Sequence, residues 1–288
     1  MSSFFDSNAA RETVLELYYD KLDSLQIQYE FLKVETGLGD TNIVLTGTEG
    51  KPPLVLLHGS NGCAPVAIEA LIDLVDHFSI YAIDVVGQPN LSVASRPSMK
   101  DDAYGKWMFE ILSRLQLTNV TLAGISFGGL VCWKALAFDE SKIKEAYLIV
   151  PAGIVNGNPL KAFWKVFLPM SLYKWRQREK QMRKLVGALF TEDDPFALQY
   201  LSEVTLHFQM DFSPIPLIDA ATAQKISTPI HIFAADNDLM FPGKKLLSRA
   251  KKIFPSIGQT ILLEGSKHVP GIHHNERIAE LMLSGLSA

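Results

Sequence analysis

The stretch 120-VTLAGISFGGLVCWKALA-137 sets a serine between two glycines, with an apolar run before it and a helical pattern after it. "NVTLA" reads as a strand ending at Gly124, and "FGGLVCWKALAF" as a helix beginning just after Ser126. With glycine and serine each near about 7% of residues, G-x-S-x-G alone turns up by chance in roughly one chain of this length in ten. Its weight comes from the strand-turn-helix setting. A turn that sharp forces the serine to positive φ and brings backbone segments too close for a Cβ, which Gly124 and Gly128 relieve. The Ser126 hydroxyl then stands at the positive end of the following helix, whose free N–H groups favour developing negative charge. A serine in an ordinary bend needs none of this.

Outward from the turn, the chain alternates between two patterns. "PLVLLHG", "FSIYAID", "EAYLIVPA", "PIHIFAA" and "QTILLEG" are apolar throughout, as strands buried on both faces of a parallel sheet are. Helical patterns at about 65–76, 101–116, 127–138, 243–254 and 275–286 fall between most of them. That alternation predicts a doubly wound α/β fold. Upstream, "QYEFLKVE" and "TNIVLTG" alternate around Gly37, Gly39 and Asp40 and predict an antiparallel hairpin. "NAARETVLELYYDKLDSL" (8–25) spaces Ala9, Val14, Leu15, Leu17, Tyr18 and Leu22 near a 3.6-residue period, an amphipathic helix within an N-terminal extension of residues 1–25.

One interval breaks the alternation. About 75 residues separate "YLIVPAG" from "STPIHIF", far more than a crossover needs, and they include the aromatic, basic, helical "PLKAFWKVFLPMSLYKWRQREKQMRKLVGALF". The expectation is a helical cap at 154–225 inserted into a core of 26–153 and 226–288. No repeat of 20 to 50 residues and no low-complexity tract interrupts that division.

Composition narrows the function classes. The 288 residues are 48% hydrophobic and 20% charged, ample for a sizeable core. A net charge of −4 offers no global basic field, so nucleic acid is not an expected partner. The first twenty residues have no basic n-region and no apolar core of signal-peptide length, which predicts a cytoplasmic protein. No window approaches the roughly 18 apolar residues of a span, so no stable membrane insertion is expected. Cys63 and Cys132 are too few for a disulfide framework, and two reduced thiols are expected. Neither H-E-x-x-H nor Cys-x-x-Cys spacing occurs, so no metal or other cofactor is expected. The sequence carries no signal for oligomeric state.

Taken together, "LVLLHGS", "IYAIDVVGQPNLS", "GISFGG" and a later acid and histidine in that order resemble the α/β-hydrolase fold family over roughly residues 27 to 286. The resemblance implies a mostly parallel eight-stranded sheet flanked by helices, with an inserted helical cap. It is much less specific for substrate than for fold.

A serine hydroxyl is a poor nucleophile alone and needs a base in hydrogen-bond reach and a third group to orient the base. In this fold both come from loops after later strands. After "PIHIFAA" the loop "DNDLMFP" offers Asp236 and Asp238, and the family's spacing of the acid four residues before a proline selects Asp238 ahead of Pro242. His268 in "SKHVPG" occupies the loop where the base belongs; His58, His77, His207, His231, His273 and His274 read as structural. The oxyanion hole is expected to combine the N–H of Phe127 with one from "GSNG", Ser60 or Asn61. Cys63 reads as a packing thiol, and Asp84 as the organiser of the turn through Gly87. Serine rather than aspartate in the turn at 126 argues against the aspartate-nucleophile hydrolases.

The resulting expectation is a cofactor-free serine hydrolase acting on a small or medium carboxylic ester. Carbon–carbon bond hydrolases and perhydrolases use the same triad, and a slow-turnover ligand sensor retains it, so these alternatives stay open. A proline iminopeptidase is less favoured, because tryptophan usually stands beside the serine there and here it is Phe127. In the cap, Trp164 and Phe167 are expected to bound an apolar acyl pocket. That reading is preferred to a lipid-facing helix because Pro169 and the basic run from Arg176 are expected to break the segment into short helices.

Overall fold

The computed structural model of the chain describes residues 4–286, so residues 1–3 of the N-terminal extension and 287–288 of the core lie outside the described residues. The first helix, α1 (Asn8–Ser24), opens where the Ser7 hydroxyl accepts the Ala10 N–H at 3.1 Å. It buries Val14, Leu15, Leu17, Tyr18 and Leu22 as its period requires, together with Ala10 rather than Ala9. The antiparallel pair β1 (Tyr29–Thr36) and β2 (Gly39–Gly47) follows, closed by Gly39 at φ 111°.

The apolar runs become β3 (Pro53–Leu57), β4 (Ser79–Ile83), β5 (Val120–Ile125), β6 (Ile143–Ile149), β7 (Ile230–Ala235) and β8 (Ile257–Leu263). The helices are α2 (Ala64–Ala70), α3 (Ala103–Arg114), α4 (Phe127–Phe138), then α5 to α9 of the long interval, α10 (Gly243–Ile253) and α11 (Ile272–Leu286). One sheet results, in the order β1-β2-β4-β3-β5-β6-β7-β8. Only the pairs β1/β2 and β2/β4 run antiparallel.

Leu54, Val55, Leu56 and Leu57 are fully buried because helices cover both faces of the sheet. On one side α3, α4 and α10 supply Trp107, Met108, Leu130 and Leu246; on the other α1, α2 and α11 supply Tyr18, Ile68 and Met282. The loops after β3, β5, β7 and β8 therefore emerge at one edge, the carboxyl ends of parallel strands, where ligands bind in open α/β sheets.

Between β6 and β7 lie α5 (Pro159–Ala162), a π-helical turn (Phe163–Phe167), α6 (Leu168–Arg176), α7 (Glu179–Leu189), α8 (Pro195–His207) and α9 (Ala220–Ala223). Val166, Tyr173, Met182 and Leu185 form a small core of their own. Pro169 does not break the first of these helices. The Leu168 N–H reaches back five residues to Phe163 O, and Pro169, in the first turn of α6, has no N–H to leave unpaired. Helix runs without interruption from 159 to 176 and ends at Gln177, in the left-handed region at φ 48°. Among the described residues, no helix is long and apolar enough to cross a membrane.

Candidate active site

The β5–α4 turn has the geometry that its glycines predict. Ser126 sits at φ 53°, ψ −109°, a strained conformation held by Ser126 N–H to Ile149 O at 2.9 Å and Ala152 N–H to Ser126 O at 2.9 Å. A Cβ on Gly124 would lie 2.4 Å from Gly128 O, and one on Gly128 would lie 2.3 Å from Leu57 O. Neither neighbour is a side chain able to move aside. Val150, just beyond β6, also adopts positive φ (43°), uncommon for a β-branched residue, where its segment wraps the turn.

The loops after β7 and β8 bring two more groups to this turn. Ser126 Oγ lies 3.0 Å from His268 Nε2, and His268 Nδ1 lies 2.9 Å from Asp238 Oδ2. Asp238 Oδ1 accepts the N–H groups of Met240 (2.7 Å) and Phe241 (3.0 Å). Burial pushes the Asp238 carboxyl up, but the charge and hydrogen bond of His268 and these two amides outweigh it and hold Asp238 below the usual carboxylate value. Asp236 is turned elsewhere, 3.3 Å from Lys244 Nζ. Ser126 is 8% exposed, so little of it meets solvent.

The loop after β3 lies against the serine: a Cβ on Gly59 would fall 3.4 Å from Ser126 Cβ. The Asn61 N–H donates to Gln88 Oε1 at 2.7 Å. Phe127 is the first residue of α4, so its N–H has no carbonyl one turn back. Beneath the loop, His58 Nε2 accepts from Val85 N–H (3.0 Å), with Asn90 Nδ2 at 3.1 Å, while Nδ1 faces Gly59 O at 2.7 Å. Burial lowers the His58 pKa to about 4, so the ring is neutral and structural at pH 7.

Asp84 organises more than the turn through Gly87. Fully buried, it accepts from Tyr18 Oη (3.0 Å), Asn42 Nδ2 (2.9 Å) and the Ala64 N–H (2.8 Å), joining α1, β2 and the start of α2. Burial pushes its pKa up to about 6 against the pull of those donors. Cys63 and Cys132 are free, buried thiols, and burial pushes Cys63 up to about 12, far from a reactive thiolate. Among the described residues no cluster of three or more side chains of metal-ligating type occurs.

Trp164 is 63% exposed and meets Phe163 edge-on, and Phe167 packs edge-on against Phe212. The segment after α7 has a role that the sequence pattern does not reveal. Thr191 Oγ1 accepts the Lys267 N–H at 2.9 Å and donates to Val269 O at 2.7 Å, and Val269 N–H donates to Leu189 O at 2.8 Å. Both neighbours of His268 are thereby tied to the end of α7 and the residues after it. The signal is invisible locally, because the partners stand more than 70 residues apart.

A family model described as alpha/beta hydrolase fold matches residues 52–217. The carboxylesterase YbfK of Bacillus subtilis (strain 168) is 24% identical over 293 residues, 96% of this chain and 96% of its own length. An uncharacterized carboxylesterase, nap, of the same organism is 26% identical over 137 residues, 48% of this chain and 46% of its own length. Among solved structures, carboxylesterase CesB (YbfK) from Bacillus subtilis superposes with a TM-score of 0.82 at 20% identity, covering 96% of this chain and 98% of that one. Naproxen esterase (carboxylesterase NP) from Bacillus subtilis does so at 0.81 and 18% identity, covering 95% and 96%. At such identities the superpositions establish the fold.

Proposed function

The chain belongs to the α/β-hydrolase fold family, and from that premise we propose that it is a serine hydrolase cleaving small or medium carboxylic esters through an acyl-enzyme. The observation that carries the reading is the hydrogen-bonded line from Ser126 Oγ through His268 to Asp238, at 3.0 and 2.9 Å. Relatives named carboxylesterases support ester chemistry.

In this reading Ser126 Oγ attacks the ester carbonyl as His268 Nε2 takes its proton. Asp238 holds Nδ1 protonated and stabilises the imidazolium. The tetrahedral oxyanion is met by the amides of Phe127 and Ser60 at the positive end of α4. Ser60 is favoured over Asn61 because the Asn61 N–H already donates to Gln88. His268 returns the proton to the leaving alcohol, and water, activated the same way, releases the acid. No step calls for a cofactor. The helices of 154–225 act as the cap, and the low exposure of Ser126 beneath them supports an acyl site of limited size.

Labelling with a fluorophosphonate, followed by turnover on esters graded in acyl length, tests the reading. Expected are one covalent label and sustained turnover, greatest for short to medium acyl groups. Labelling with near-zero steady-state hydrolysis of every ester would contradict it and point to a ligand sensor.

A further inference from the structure

The helix running from 159 to 176 has one face seated on the protein and another with nothing over it. Ala162, Val166, Pro169 and Tyr173 form the buried stripe. Leu160, Phe163, Trp164 and Phe167 follow the i, i+3, i+4, i+7 spacing of a different side. There Leu160 is 69% exposed, Trp164 63% and Phe163 48%. Phe167 meets the exposed ring of Phe212 at 5.5 Å between centroids, which carries the patch onto the neighbouring loop, and exposed Trp175 stands further along the helix. Contiguous exposed apolar surface of this kind marks an interaction site.

Charge selects the occupant. Residues 161–184 hold eight basic side chains and one acidic, in a chain of net charge −4. Beside the apolar face, Lys161 and Lys165 line a cleft of about 570 Å³ with Lys245 and Lys267. Two carboxylates also line that cleft, and both are engaged, Asp236 by Lys244 at 3.3 Å and Asp238 by His268. A second copy seated symmetrically on this face would bring two identical basic segments together, and their repulsion opposes that contact. A surface that is apolar within and anionic at its boundary matches both features. Aromatic and leucine side chains enter at head-group depth while lysines meet phosphates.

We infer that the outer face of the 159–176 helix docks the protein peripherally on an anionic phospholipid bilayer, with Leu160, Phe163 and Trp164 inserted and Lys161 and Lys165 against the head groups. Of the two breaks expected to shorten this segment, the one at Pro169 does not occur, and the helix ends only at the basic run from Arg176. The inference is independent of the catalytic reading, because it is tested by binding alone.

The test is cosedimentation of the full chain with vesicles of phosphatidylcholine, alone or mixed with phosphatidylglycerol, together with tryptophan emission. Trp107 and Trp133 are buried, so a blue shift reports Trp164 and Trp175. Binding to mixed vesicles should exceed binding to neutral ones at least about tenfold, since each lysine near such a surface contributes about 1 kcal/mol. Leu160→Ser and Trp164→Ser, with melting temperatures unchanged, should abolish binding. Lys161→Gln with Lys165→Gln should remove the preference for anionic lipid. Absence of binding to either vesicle, or binding that none of these variants alters, overturns the proposal. So does self-association that Trp164→Ser relieves without any vesicle binding, which would assign the face to a second copy.

Discussion

At the scale of single residues the account turns on which carboxylate faces which base. Asp238 is buried, fixed by two amides and 2.9 Å from His268, whereas Asp236 is held by Lys244 at the surface. Asp238→Asn is therefore expected to lower kcat by several orders of magnitude, because an amide neither enforces the tautomer nor stabilises the imidazolium. Asp236→Asn should change kcat less than about tenfold, a barrier change below the ~1.4 kcal/mol that tenfold represents. Steady-state kinetics on one ester decide the matter, and the reverse ranking would make Asp236 the triad acid. A second residue-scale expectation concerns His58, whose folded pKa of about 4 lies below the ordinary 6.5. Between those values the unfolded chain takes up a proton that the folded chain refuses. The wild type should lose stability relative to His58→Asn as pH falls from about 6.5 to 4, by an amount on the order of 3 kcal/mol. Urea unfolding across that range measures the difference, and parallel stability curves would show that His58 is not held neutral.

At the scale of elements, Leu189 at the end of α7 and Thr191 just beyond it grip the loop that carries His268. Thr191 Oγ1 both accepts from Lys267 and donates to Val269. Thr191→Val removes both bonds while keeping the shape, so kcat should fall about fivefold, the scale of a hydrogen bond worth about 1 kcal/mol, with KM little changed. Thr191→Ser should restore it. A variant with wild-type kcat, or one whose loss Thr191→Ser fails to recover, would remove Thr191 as a positioning residue. Elements were legible in the sequence to different degrees, for physical reasons. The runs that became β3 to β8 are apolar throughout because both faces are covered, and α4 begins directly after Ser126, with Gly128 and Gly129 in its first turn. The 159–176 helix was misread because Pro169 lies after a π-turn, where its missing N–H breaks nothing. Thr191 and Gln88 went unseen because their contacts join distant segments, and no local spacing records them.

At the scale of the whole molecule, eight strands bring the loops after β3, β5, β7 and β8 to one edge of the sheet. The order of motifs along the chain made that arrangement readable in advance; the exposed outer face of the 159–176 helix was not, because the same aromatics suit a pocket lining as well as a bare surface. In the proposed reaction this edge forms an acyl-enzyme at Ser126. That step is tested most directly by mixing the protein with a short-chain activated ester, quenching within the first turnover and mapping the adduct by peptide mass spectrometry. The account predicts one acyl group, on the peptide containing Ser126, and none on Ser126→Ala folded to the same melting temperature. An adduct on another residue, or one that persists in Ser126→Ala, would contradict it.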